Sequence, residues 1–276
     1  MWGGFAPHSR LSIRRNELAI PACVRHGIRH VFFTMWGDDG GECPYFSALP
    51  ALMHAAAVAE GMSEAEMKEK FRAIVGEEYD AFLELDLPNH IFGEDKMVGS
   101  ANYSKNRLYD DCFLAILSLN AEGADGSVYR EYAERLHRRA EEGHAFRYLF
   151  DSMACLCDAL AIKFDLADKT RSLYAAGDKS GLRRLAENEY TALLSRLDAF
   201  YRAFRTQWYT VNKTYGFEIQ DARLGGLMQR VKSCRERLLA FCDGEIDGIE
   251  ELSEAVLPND GGNVPYWREM VTACVV

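Results

Sequence analysis

The sequence predicts a mostly α-helical protein with one isolated βα unit near its N-terminal side, and three observations lead there. Beyond residue 61, apolar residues recur at three- and four-residue steps through most of the chain, the period of helices with one buried face. One short run, Ile28-Arg29-His30-Val31-Phe32-Phe33-Thr34-Met35-Trp36, is instead rich in β-branched and aromatic residues and does not alternate cleanly. That is the pattern of a strand covered on both faces in a parallel sheet. A tight loop, Gly37-Asp38-Asp39-Gly40-Gly41, and a helix opening at Ser47 follow it.

Taken in order, Ser12 is placed to cap a helix running to about His26, with Gly27 ending it. Pro21 lies inside that pattern and is expected to kink or split it. The helix from Ser47 carries Leu49, Leu52, Met53, Ala56 and Ala57, and Gly61 ends it. Ser63-Glu64-Ala65-Glu66 has the form of a capping box. A short helix covers Tyr79 to Leu87, stopping before Pro88, and a polar loop spans about 88–104. Further helices are predicted over about 105–119, 127–142, 144–164 and 167–176.

The last two long helices have the clearest stripes: Tyr190, Leu193, Leu197, Phe200, Phe204 and Trp208 on one, Leu224, Leu227, Val231, Cys234, Leu238 and Phe241 on the other. The connector Asn212-Lys213-Thr214-Tyr215-Gly216 is short, so the two should form an antiparallel hairpin. Phe200, Phe204 and Trp208 read as core. Gly225-Gly226 weakens its helix, and the expected return is close approach of a neighbouring backbone. Arg223, Asp221 and Glu218 near the turn are expected to form a buried polar network that fixes packing or a dimer interface.

Composition narrows the function classes. The chain has 276 residues, 48% of them hydrophobic, which suffices for a sizeable core. A formal net charge of -10 argues against nucleic acid as a partner. The basic pairs Arg138-Arg139 and Arg183-Arg184 fall in helical patterns and read as solvated faces. Eight cysteines form no CxxC pair, which points to reduced, mostly buried thiols and a cytoplasmic setting, without a metal site. No signal peptide is visible, and charges at Arg147, Asp151, Asp158 and Lys163 interrupt the most apolar helix, so no membrane span is expected. No motif for a nucleotide, phosphate or other cofactor is present, and none is expected.

A single βα unit cannot bury both faces of its strand, and that oddity meets a resemblance. Thr34-Met35-Trp36-Gly37-Asp38-Asp39-Gly40-Gly41-Glu42-Cys43, with Phe46 and Leu49-Pro50, resembles the last barrel strand and loop of family 20 glycoside hydrolases, the β-N-acetylhexosaminidases. The match is to the bacterial subgroup with an all-helical C-terminal domain. Trp2-Gly3-Gly4-Phe5-Ala6-Pro7-His8 resembles the loop after the preceding strand. Leu85-Asp86-Leu87-Pro88-Asn89 and the stretch from Gly216 to Gly226 resemble its helical domain. The resemblance implies that residues 1–60 are the last βα unit or units of an incomplete (β/α)8 barrel and residues 61–276 the all-helical C-terminal domain. A full barrel takes about 250 residues.

For function, the resemblance implies a retaining, substrate-assisted hydrolase of terminal N-acetylglucosamine or N-acetylgalactosamine, in which the sugar's own acetamido oxygen attacks. The family's catalytic Asp-Glu pair belongs at the end of the fourth barrel strand and has no counterpart here. Asp110-Asp111 and Glu141-Glu142 lie in helical contexts and are not assigned that role. The chain alone is therefore expected to be inactive. Expected sugar-binding residues are Trp36, stacking on the pyranose face, and Asp38, the acid of the family's Trp-x-acid pattern, accepting from distal hydroxyls. Glu42 and Asp39 are weaker candidates, and Trp2 is a candidate for the aromatic cage around the acetamido methyl. His8 reads as a loop residue. The expected partner is an N-acetylhexosamine-containing glycan, with a homodimer through the helical domain possible. The alternative is a non-catalytic helical scaffold or dimerisation module.

Overall fold

Helices α1 (Ser9–Arg25) and α2 (Leu49–Glu60) pack side by side ahead of a larger helical body in the computed structural model. The structure describes residues 4–37, 40–94, 96, 102–116, 123–142 and 145–256. α1 begins after His8 rather than at Ser12, and Gly27 ends it in the left-handed conformation (φ 67°). The helix runs through Pro21 without a break. Packing along α2, with Asn16 Nδ2 donating to the Ala51 carbonyl at 3.2 Å and Leu11 and Ile20 buried, outweighs the one lost amide bond.

The predicted strand is not formed. Among the described residues there is no strand, and Ile28 to Gly37 is irregular backbone. A strand needs a neighbour to take up its amides and carbonyls, whereas a helix satisfies its own. Of the expected βα unit only the helix, α2, takes shape. The apolar side chains that a sheet would cover stand in the open: Phe32 is 91% exposed and Trp36 61%.

Past Gly61 the expected helical pattern appears. The Ser63 capping box forms, with Glu66 N donating to Ser63 Oγ at 3.3 Å and Ser63 N donating to Glu66 Oε2 at 2.9 Å, and starts α3 (Glu64–Val75). α4 (Tyr79–Leu83) runs into a 3-10 turn, Glu84–Asn89, which contains Pro88 instead of stopping before it. α5 (Tyr103–Tyr109) is shorter than the helix predicted over 105–119. Asp111 ends it: Oδ1 accepts from Phe113 N at 2.8 Å and Leu114 N at 3.0 Å, and Arg230 grips the same carboxylate at 2.7 and 3.1 Å. A local side-chain turn, locked by an ion pair from far along the chain, overrides helical periodicity there.

α6 (Val128–Glu141), α7 (Arg147–Lys163), α8 (Leu166–Ala175) and α9 (Lys179–Leu185) follow. One π-helical turn, Ala186–Tyr190, leads into α10 (Thr191–Val211), then come α11 (Phe217–Asp243) and the short α12 (Glu250–Ser253). α7 lies between α6 and α10, and Leu149, Phe150, Met153, Leu156 and Leu160 on it are buried. α10 and α11 form the antiparallel hairpin: Trp208 packs on Phe217, Tyr201 donates to Asp221, and Arg235 donates to Thr191 Oγ1. The close approach expected at Gly225 is absent, since a Cβ placed there would meet nothing within 4 Å.

The N-terminal stretch is pinned onto this helical body. Phe5 is fully buried, with ring centroids 5.2 Å from Phe200 and 5.3 Å from Phe204. Asn89 Nδ2 donates to the carbonyls of Ala6 (3.3 Å) and Pro7 (3.2 Å), while its Oδ1 accepts from Ser104 Oγ at 2.7 Å. Asp86 pairs with Arg10 and accepts from its backbone N–H at 3.0 Å. The Leu85-to-Asn89 motif is thus a staple joining α1 and its leader to α5.

Candidate functional site

The site is built on the Gly-rich loop after Trp36. Gly41 N donates to the Gly37 carbonyl at 3.0 Å. Gly40 and Gly41 have φ of +105° and +63°, which glycine adopts without strain. Gly40 also lacks room for a side chain. A Cβ there would lie 2.5 Å from Arg223 Nη1 and 2.8 Å from Glu42 Oε1.

Those two neighbours belong to a buried charge cluster. The Glu42 side chain is completely covered. Its Oε2 accepts from Lys105 Nζ of α5 at 2.6 Å, and its Oε1 accepts from Arg223 Nη1 of α11 at 3.1 Å. The Lys105 side chain is also fully buried, and that of Arg223 is 8% exposed. Each of these ions has lost its water, so the cluster depends on well-placed contacts between them. The loop backbone is gripped as well. Gln220 Nε2 donates to the Gly40 carbonyl at 3.0 Å and Gln207 Nε2 to the Glu42 carbonyl at 3.3 Å. The Trp208 ring lies over Gly41. Burial raises the adjacent Cys43 thiol to about 12, so it is inert as a nucleophile, and its Sγ sits 3.2 Å from Ser47 Oγ.

Trp36, at the head of the loop, donates its indole N–H to Thr34 Oγ1 at 2.9 Å and keeps most of its surface open. It lines a groove of about 380 Å³ with Val31, Phe32 and Phe33, walled by Ala19 and Ile20 of α1 and Ala51 and Leu52 of α2. Asp38, Asp39 and Trp2 lie outside the described residues. Glu42, a candidate sugar ligand by sequence, has its carboxylate taken up by Lys105 and Arg223. Of the residues expected to form a network near the hairpin turn, only Arg223 is buried. Asp221 is exposed and accepts from Tyr201, and exposed Glu218 accepts from Gly216 N at 2.6 Å, at the start of α11. The three do not form one network.

Sequence reasoning missed Lys105, Gln207 and Gln220. Lys105 sits in the polar run Ser104-Lys105-Asn106-Arg107, which looks like a solvated face and is instead buried. The glutamines carried a signal: Gln220 stands in register with buried Phe217, Leu224, Leu227 and Val231, and Gln207 with Phe200 and Phe204. Polar residues at stripe positions mark partners outside the stripe.

His8 and His90, buried near the staple, have pKa values lowered to about 4, chiefly by desolvation. His8 Nε2 is 2.8 Å from Asn102 Oδ1. Both imidazoles are neutral at pH 7 and neither faces the loop cluster in the contacts seen. Among the described residues, no group of three or more His, Cys, Asp or Glu is placed to hold a metal ion, and no helix is long and apolar enough to cross a membrane.

Fold and site together define an all-helical domain that grips a glycine-rich loop from a preceding segment. The chain belongs to the family of the glycoside hydrolase 20C C-terminal domain, which matches residues 80–271. The match begins inside α4 and takes in the staple's Leu85–Asn89, Lys105, the α10–α11 hairpin and Arg223, so most of the machinery that holds the loop is family sequence. A comparison with curated proteins finds no match.

Proposed function

We propose that the chain is the C-terminal part of a β-N-acetylhexosaminidase, acting on terminal N-acetylglucosamine or N-acetylgalactosamine and supplying one wall of the sugar pocket. Membership of the glycoside hydrolase 20 C-terminal domain family supports the reaction class. The observation that carries the reading to this loop is the clamp on Glu42, because it ties the segment after Trp36 directly to the family domain. Trp36 offers an open indole face for a pyranose ring. Asp38 accepts from distal hydroxyls, with Asp39 beside it, and Trp2 contributes to the acetamido cage. Glu42 serves as the anchor of the loop instead of a sugar ligand. The acid and the residue orienting the acetamido oxygen come from barrel strands outside this chain, which also cover the apolar segment 28–36. Turnover is retaining and substrate-assisted.

The test is hydrolysis of a chromogenic N-acetyl-β-glucosaminide. The chain alone is expected to show no turnover. Joined to a barrel portion carrying an Asp-Glu pair it is expected to hydrolyse the substrate, and Trp36→Ala is expected to lower kcat/KM by about a hundredfold. Turnover by the isolated chain would refute the absent acid pair, and an unaffected Trp36→Ala enzyme would remove the pocket assignment.

A second reading, a helical scaffold or dimerisation module, draws on Tyr209, Tyr215 and Ile219, which stand exposed around the α10–α11 turn. A stable dimer in light scattering, with no thermal shift on adding N-acetylglucosamine, favours it.

A further inference from the structure

Three distant parts of the chain meet beneath the Gly-rich loop: Glu42 from the loop itself, Lys105 from α5 and Arg223 from α11. Packing alone does not call for charge here. A buried ion cluster gains little over apolar residues of the same volume, because the desolvation of each ion offsets its attraction. What charge adds is direction. A carboxylate held at 2.6 Å and 3.1 Å by two cations on different helices has one orientation, where a leucine in the same space would have several. The carbonyls of Gly40 and Glu42 are held by Gln220 and Gln207, and Arg223 lies so close to Gly40 that a side chain there would collide with it. The backbone from Gly40 to Glu42 is therefore set by side chains of the helical domain.

We propose that Lys105 and Arg223 are positioning residues. Acting through Glu42, they fix the backbone from Gly40 to Glu42 for its ligand, so the helical domain governs affinity without touching the sugar. The identity of the ligand rests on the hexosaminidase reading, whereas the ordering of the loop does not.

Hydrogen exchange on the full chain tests this, following a peptide across residues 36–43 with α7 as internal reference. Glu42→Gln keeps the shape and removes the charge, and Lys105→Met removes one cation. In both, exchange in the loop peptide is expected to rise about tenfold while α7 is unchanged, with Lys105→Arg restoring most of the protection. An unchanged loop overturns the proposal, and so does a rise shared equally by loop and α7, which marks a general loss of stability. Should either variant fail to fold, Gln220→Leu, which removes only the donor to the Gly40 carbonyl, is read by the same criterion with a smaller rise. A parallel titration of the chain joined to its barrel portion with N-acetylglucosamine is expected to show about tenfold weaker binding with Glu42→Gln than without it. Equal binding by the two overturns the coupling to affinity. A joined protein without the substitution that does not bind the sugar removes the hexosaminidase reading and leaves the exchange result to decide the loop's ordering on its own.

Discussion

The helical body and the segment from Ile28 to Trp36 treat the same kinds of side chain in opposite ways. In α7, α10 and α11 nearly every stripe residue is buried, and rings such as Phe200 and Phe204 pack edge-on against Phe5. In residues 28–36, Val31, Phe32, Phe33, Met35 and Trp36 are all exposed. The difference lies in the backbone. A helix closes its own hydrogen bonds and needs neighbours only along one stripe, so the helical body completes itself from its own chain. A strand has no internal bonds, and its apolar faces stay open until other strands arrive.

The contrast breaks most sharply at the core. Phe204→Ala should cost about 3–5 kcal/mol, read as a lower urea midpoint with an unchanged slope, because the cavity cannot be refilled by its packed neighbours. A loss under about 1 kcal/mol, the level of an exposed site, would mean that α10 does not lie in a closed core.

Acid comes next. His8 and His90 titrate near 4 in the folded chain and near 6.5 once unfolded. Between those values the unfolded chain binds protons that the folded chain refuses, so stability falls as pH falls from 6.5 towards 4 and is indifferent to these groups above 6.5. His137 works the other way: its hydrogen bond to Asp158 raises its pKa, giving stability below 6.5 that is lost as pH rises through the raised value. It is part-exposed, so its share is small. Unfolding midpoints at a series of pH values should show the acid loss, flattened in a His8→Gln/His90→Gln double variant. Parallel curves for the two proteins would contradict it.

Smaller effects lie at the edges of the body. Ser63→Ala removes the cap of α3 and should cost about 1 kcal/mol in thermal or urea unfolding. A wild-type midpoint would mean that the box seen at Glu66 does not hold in solution. Phe32→Ser should change stability by under about 0.5 kcal/mol, since the ring is hardly covered, while reducing self-association in light scattering. A large loss of stability there would show that the segment is already covered in this chain.

Much of the helical body was legible beforehand because its signals are local: the Ser63 box, Gly61 and Gly27 as terminators, and the two stripes of the hairpin. The misses share a cause. α5 stops at Tyr109 because Asp111 finds Arg230, and Lys105 is buried because Glu42 is there to meet it. Neither partner is visible from the local pattern. Pro21 fails to split α1 because α2 supports that helix. Of the site, the loop glycines could be read from the sequence, whereas the contacts of Glu42 depended on two cations whose positions only the fold reveals.

The pairing of Glu42 with Arg223 spans 181 residues of sequence. Closing so long an interval is slow compared with forming any single helix turn. On the ribosome, where synthesis runs from the N-terminal end, the loop emerges well before the arginine that completes its clamp. Lys105 is available to it first, and the full grip comes only when the α10–α11 hairpin folds back. The loop that follows Trp36 should thus be made well before its clamp can close and be among the last segments to reach its final shape.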